Sequence, residues 1–437
     1  MKPIDLLIGN GILLTMDHEQ SIIEKGAVGI SGTDIIDVGS HEELLSLYEA
    51  KKYIDARGGI IMPGLINAHT HAGMSLFRGL ADDLPLLTWL NEYIFTAERK
   101  LTFDMVFKGT LLACAEMILS GTTTFCDMYL FEDAVAQAAK KSGMRAIVGE
   151  VIYDFPSPNY GPLEKGFAYT EVLIKKWQDD PLITIAVEPH SPYLCSPELL
   201  IRAHDLAERF GSLLIIHLSE TDKEVRQIKE RYGLTPVGHL GDLGVLGPNL
   251  VAVHCVALTD NDIDLLKQFN VKVAHNPESN MKLASGIAPL PELLKRGVTV
   301  GLGTDGCASN NNLDLFQEMD TAAKLHKVNT LDPTVVDAET VVRMATIDAA
   351  RVLGLEDTIG SIKPGKKGDI IVIDIIRPHL VPLYNPYSHL VYSVTGSDVV
   401  TSVINGRVVM EDRVLTTLDL EKVMSDVNKI AKEIKRS

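Results

Sequence analysis

The chain has 437 residues, 46% hydrophobic and 23% charged, with a formal net charge of −17 and a pI near 5.2. That length allows several domains, or one large barrel with attachments. No dense Lys/Arg cluster offers a surface for nucleic acid. No apolar run reaches the ~18 residues of a membrane span. The five cysteines (Cys114, Cys126, Cys195, Cys255, Cys307) are scattered and form no C-x-x-C pair. Free thiols in a cytoplasmic protein are the expectation. The N-terminus, Met1-Lys2-Pro3-Ile4-Asp5, lacks the apolar core of a signal peptide.

The first ~58 residues read as short strands, Leu6–Ile8, Gly11–Thr15, Ala27–Ser31 and Ile35–Val38, separated by Gly and Asp turns. From there apolar runs alternate with helical stretches. The strand candidates are Gly59–Ile66, Thr122–Cys126, Ala146–Ile152, Ile183–Val187, Leu213–His217, Leu250–His254, Val271–Ala274 and Thr299–Leu302. Helical periodicity marks Asp133–Lys141, Glu198–Phe210, Lys223–Arg231 and Asp260–Phe269. Ser196-Pro197-Glu198 reads as an N-cap followed by Pro at the first helical position. Eight strands alternating with helices predict an α/β fold, a parallel (β/α)8 TIM-like barrel. Residues 312–353 read as more helix. Strands return at Asp369–Asp374, Val399–Ile404 and Arg407–Met410, and Asp419–Lys435 reads as a terminal amphipathic helix. The expected division is 1–58 and 360–437 as one small β-sandwich domain built from both chain ends, with 59–359 as the barrel.

Barrels of this kind carry their sites at the C-terminal strand ends. Those ends read His69 and His71, Asp127, Glu150 or Tyr153, Glu188 and His190, His217 and Glu220, His254, then His275, Asn276 and Glu278, and finally Asp305. Histidines or aspartate ending the first, fourth, fifth, sixth and eighth strands would converge on one mouth. His69 and His71 stand two apart, so on a strand they point the same way. The favoured metal set is His69, His71, His217 and Asp305, holding one divalent ion per subunit. Zn2+ suits three imidazoles and a carboxylate, with Fe2+, Co2+ or Mn2+ as alternatives. An open position would take a water made more acidic by the metal. Glu220, three residues after His217, could shuttle a proton to a ring nitrogen without binding the metal. His254 could donate a hydrogen bond to the attacking water or be another ligand. The zinc deaminases that need P-C-x-x-C are excluded by the absent C-x-x-C pair. Val187-Glu188-Pro189-His190 has no Lys to bridge two metals.

Pro63-Gly64-Leu65-Ile66-Asn67-Ala68-His69-Thr70-His71, His217-x-x-Glu220, His254, Gly303-Thr304-Asp305-Gly306 and the stretch 361–369 together resemble the amidohydrolase superfamily. Within it the chain looks most like the 5-methylthioadenosine/S-adenosylhomocysteine deaminases, through 74–83, 86–90, 189–193 and 275–283. The resemblance implies hydrolytic deamination of a 6-aminopurine nucleoside to the inosine analogue and ammonia. It implies that Glu98 holds the ribose hydroxyls and that His190 bonds a purine nitrogen. Trp89 would pack near the 5′ substituent. Glu220 would protonate the ring, and Asp305 would take the water proton and pass it to ammonia. Glu150 stands where that family often has an Arg for the nucleoside's tail. This favours 5-methylthioadenosine, 5′-deoxyadenosine or adenosine over S-adenosylhomocysteine. The alternative reading keeps the mechanism on another ring: guanine, a pterin or an s-triazine, with chloride as a possible leaving group. A remoter one is a non-catalytic interaction protein on the same fold. The expected partner is a small nucleoside, with no nucleic acid and no membrane, in a chain that can form homo-oligomers.

Overall fold

The computed structural model describes residues 1–17, 21–84 and 88–436, with side chains at all of these except 89–91 and 436. Eight parallel strand positions form the barrel. They are Leu65–Thr70, Thr122–Tyr129, Arg145–Ile152, Ile183–Ile185 with its continuation Glu188–Pro189, Leu214–Leu218, Leu250–His254, Lys272–His275 and Val300–Leu302. Nearly all their residues are buried, as expected of strands covered on both faces. Two hydrogen-bonded arcs make up the ring, the first four strands and the last four. Val187 bridges Leu214 on one side. On the other, Asp305 N donates to His69 O at 3.0 Å. The ring is therefore closed, and the last strand hands its carboxylate directly to the first strand's histidines.

The predicted helices form where their end signals stand. Ser196 Oγ accepts from Leu199 N to start Pro197–Phe210, and Gly211 ends it at φ 62°. Thr259 and Asp262 form a reciprocal capping box at the head of Asp260–Gln268. Thr221 caps Asp222–Tyr232, the helix that follows the fifth strand. These caps set where each strand-to-helix loop ends, and so where the site residues on those loops stand.

The run Gly59–Ile66 is not one barrel strand. Ile60–Pro63 pairs with Ile12 and Leu13 and, antiparallel, with Ile370–Ile373, so it belongs to the small sheet. The barrel strand begins at Leu65. The break falls at Gly64, where a Cβ would lie 2.1 Å from the Thr123 side chain. Only glycine lets the chain step across there.

The small domain draws on both chain ends in one nine-stranded sheet. Ile8, Val28, Ile35, Ile61, Val372 and Val403 meet in its core. The sheet therefore bends over on itself around one apolar layer, as a sandwich does. Two short predicted strands are one, Lys2–Leu14, with register shifts around Gly9 and Gly11. Helix His41–Leu47 and strand Tyr48–Asp55 were not expected. The latter alternates Lys and Glu with partly buried residues on a half-wet strand, and carries no long apolar run. The terminal helix, Leu420–Arg436, lies on the barrel: Val423 packs with Leu111 and Ala138. A buried ion pair, Arg145 Nε to Asp369 Oδ2 at 3.0 Å, joins the third barrel strand to the small sheet. Among the described residues no helix is long and apolar enough to cross a membrane.

Candidate active site

His69 ends the first barrel strand and His71 follows it, their rings 4.8 Å apart and nearly perpendicular. His217 comes from the fifth strand, and its Nε2 lies 3.3 Å from His69 Nε2. The ligand atoms of these three imidazoles all fall within 4.8 Å of one another. Asp305 Oδ1 is 3.0 Å from His71 Nε2 and 3.6 Å from His69 Nε2. The predicted four-residue set is thus gathered in one place.

The second ring nitrogens of two of them are engaged behind the site. His71 Nδ1 bonds Met128 O, and His217 Nδ1 bonds His190 O at 2.9 Å. This holds each Nε2 toward the centre. Burial, then the neighbouring histidines, holds His217 well below the usual imidazole range. Burial and His71 do the same to His69. With His217 Nδ1 bonded to a carbonyl, the neutral His217 presents a lone pair at Nε2 toward His69 Nε2, which fits a borderline divalent ion between them.

His71 differs. Burial depresses it, but the Asp305 hydrogen bond and charge overcome this and hold it at about 9. In return, although burial alone would raise Asp305, His71 keeps that carboxyl well below its ordinary range. A metal taken up by this set would have to displace the His71 proton. Apparent Zn2+ affinity is therefore expected to rise about tenfold per pH unit between pH 6 and 8, and to level off near 9. Chelator competition at several pH values measures it. An affinity independent of pH would remove His71 from the ligand set.

Asp305 is further fixed by Ser279 Oγ at 2.6 Å and Ser309 Oγ at 2.9 Å, both donating to Oδ2. Its backbone is left-handed at φ 60°, and so is that of His254 at φ 74°. Such strained positions persist where the surroundings over-determine them. Asn280 Nδ2 lies 3.0 Å from His254 Nδ1. Donation from that amide leaves His254 Nε2 protonated and 4.0 Å from Glu220 Oε2. Burial, with Asp305's charge adding to it, raises the Glu220 carboxyl to about 8. Glu224 anchors that loop, accepting from Ser219 N at 3.0 Å and Glu220 N at 2.7 Å.

One cleft of about 760 Å3, its open mouth included, is lined by His71, Glu98, His190, His217, Glu220, His254 and Asp305. Ile94, Phe95, Met128, Val151, Tyr153 and Leu283 supply apolar walls. Burial raises Glu98 to about 7, tempered by the Tyr129 hydroxyl. Burial lowers His190 to about 3, so its ring is neutral and able to bond a heterocycle's nitrogen. The Trp89 side chain lies outside the described residues.

Four strand-end carboxylates do not line the cleft, and one of them, Glu278, accepts instead from Asn312 Nδ2 at 3.0 Å and Thr321 Oγ1 at 2.9 Å. Asp127 Oδ1 accepts from Ala72 N and braces the turn after His71. Glu188 is fully buried, and burial raises it well above the usual range. Glu150 is corrected most sharply. It accepts from Glu132 N at 2.9 Å and Asn159 Nδ2 at 3.0 Å, fully buried, while Val151 and Tyr153 face the cleft. Its charge does not meet a substrate tail. Strand alternation explains this, because residue 150 points opposite to 151. The supports Ser279, Asn280, Ser309 and Glu224 were not assigned from sequence. Ser279 and Asn280 fall inside the 275–283 stretch, and Glu224 is the third residue after the Thr221 cap, so spacing alone pointed near them.

Residues 60–409 match the sequence profile of the Amidohydrolase family. The chain belongs to that family. This amidohydrolase is 61% identical over 431 residues to a 5-methylthioadenosine/S-adenosylhomocysteine deaminase of Syntrophobacter fumaroxidans, covering 99% of this chain and 98% of that one. It is 46% identical over 432 residues to a 5′-deoxyadenosine deaminase of Methanosarcina mazei, covering 98% of each. Among solved structures, an adenosine deaminase from Xanthomonas campestris with bound zinc superposes with a TM-score of 0.98 at 37% identity, covering 100% of both chains.

Proposed function

We propose that this amidohydrolase deaminates adenosine analogues, converting a 6-aminopurine nucleoside and water to the inosine analogue and ammonia. The observation that carries the reading is the composition of one cleft. His71 and His217 of the three-imidazole centre line it with Glu220, His254 and Glu98, whose carboxyl is suited to a ribose diol. The names of the relatives, 5-methylthioadenosine/S-adenosylhomocysteine deaminase and 5′-deoxyadenosine deaminase, support it.

A divalent metal, which we take to be zinc, held by His69, His71, His217 and Asp305, supplies when bound a water acidic enough to act as a nucleophile near neutral pH. Glu220, protonated below about 8, delivers a proton to the ring nitrogen beside the carbon under attack. His254 orients the attacking oxygen by donating from Nε2. Asp305, ionised, accepts the water's proton and returns it to the departing amino group. His190 bonds a purine nitrogen, and Glu98 accepts from the 2′- and 3′-hydroxyls. The five cysteines, all unpaired and buried, support a cytoplasmic setting.

Ammonia release from adenosine, 5-methylthioadenosine, 5′-deoxyadenosine, S-adenosylhomocysteine, guanine and an aminotriazine tests the reading. Nucleosides should react and the free bases should not. Glu98→Ala is expected to raise KM for a nucleoside about 100-fold, from two lost hydrogen bonds to a charged acceptor. Unchanged nucleoside kinetics would move the substrate to a free base.

A further inference from the structure

We propose that Phe95, Tyr153 and Phe155 form an aromatic shelf that selects the nucleoside's 5′ end, accepting short uncharged apolar substituents and disfavouring a tail that carries an amino acid. This rests on the deaminase reading above, because it is Glu98's hold on the ribose that brings the 5′ carbon here. Phe95 and Glu98 occupy the first and last positions of one helical turn, Phe95–Glu98, so they share a face. Both line the cleft, as does Tyr153. Phe155 stacks on Tyr153 at 3.8 Å and 13°, and meets Phe95 edge-on at 6.4 Å and 65°. The three rings brace one another and join the end of the third strand to the helix that carries Glu98.

The electrostatics act in the same direction. Among the described residues the cleft lining contains Glu98, Glu220 and Asp305 but no Lys or Arg. Lys165 is exposed near the start of helix Leu163–Trp177 and does not line the cleft. An amino-acid carboxylate at the 5′ end would be desolvated against rings with no cation to receive it. A thiomethyl group there buries apolar surface on a ready-made flat wall.

The test uses the intact metal-loaded protein and compares kcat/KM for 5-methylthioadenosine, adenosine and S-adenosylhomocysteine. Wild type should prefer 5-methylthioadenosine over S-adenosylhomocysteine by about tenfold or more. Phe95→Ala should lower the ratio of 5-methylthioadenosine to adenosine about tenfold, and Phe95→Leu should restore most of it. Phe155→Ala, at a position 38% exposed, gives the same ratio if the first variant does not fold. Equal or better use of S-adenosylhomocysteine by wild type overturns the shelf, and so does an unchanged ratio in a folded alanine variant. If no nucleoside releases ammonia, the deaminase reading itself is wrong, and the shelf falls with it.

Discussion

Glu220→Gln is expected to keep the fold and the metal while losing about three orders of magnitude in kcat, or about 4 kcal/mol of barrier. The amide has the same shape but no acidic proton to give the ring. The loop that carries it is held through backbone, with Glu224 accepting from Ser219 N and Glu220 N, so the substitution leaves the chain path alone. Glu220 is also separate from the three-imidazole set, which explains why metal content should not change. The measurement pairs metal stoichiometry with single-turnover rates on one nucleoside. Turnover within tenfold of wild type, with full metal, would remove Glu220 from the proton path.

His69→Ala is expected to take metal content well below one per chain after dialysis, and activity with it. His69 is completely buried, and its Nε2 faces both His217 and Asp305. Its loss removes the one imidazole that faces both His217 and Asp305, so the remaining donors hold the ion more weakly and lose it to dialysis. A second readout is thermal. Metal binds only the folded chain, so added Zn2+ should raise the Tm of wild type, and that rise should vanish in the variant. Unchanged stoichiometry, or a preserved Zn2+-dependent rise in Tm, would strike His69 from the ligand set.

The barrel was legible because its strands are short apolar runs spaced by helices with ordinary caps. The four metal-set residues were legible because strand ends share one mouth. What escaped depends on contacts between distant segments. Nothing local in Gly59–Ile66 says that it divides at Gly64. That follows from Thr123, which sits against it only in the folded chain. Glu98 was marked only by the resemblance, because nothing local in the sequence says that packing buries it. Ser309 matters because it reaches Asp305 together with Ser279, one from the turn after the eighth strand and the other from helix Pro277–Lys282. Glu150 was a parity error that strand alternation alone could have corrected, since Val151 and Tyr153 share the other face.

The division at Gly64 also bears on the order in which the site is completed. The strand bearing His69 continues straight from Ile60–Pro63, and that segment is clamped by Ile370–Ile373 near the other end of the chain. As the polypeptide leaves the ribosome, the histidine pair emerges early, yet its tether has only Ile12 and Leu13 to pair with until almost everything else has been made. Asp305 and the closing eighth strand arrive before that clamp does. A chain cut short before Ile370 would therefore carry His69, His71, His217 and Asp305 without one of the braces that hold the first strand in place.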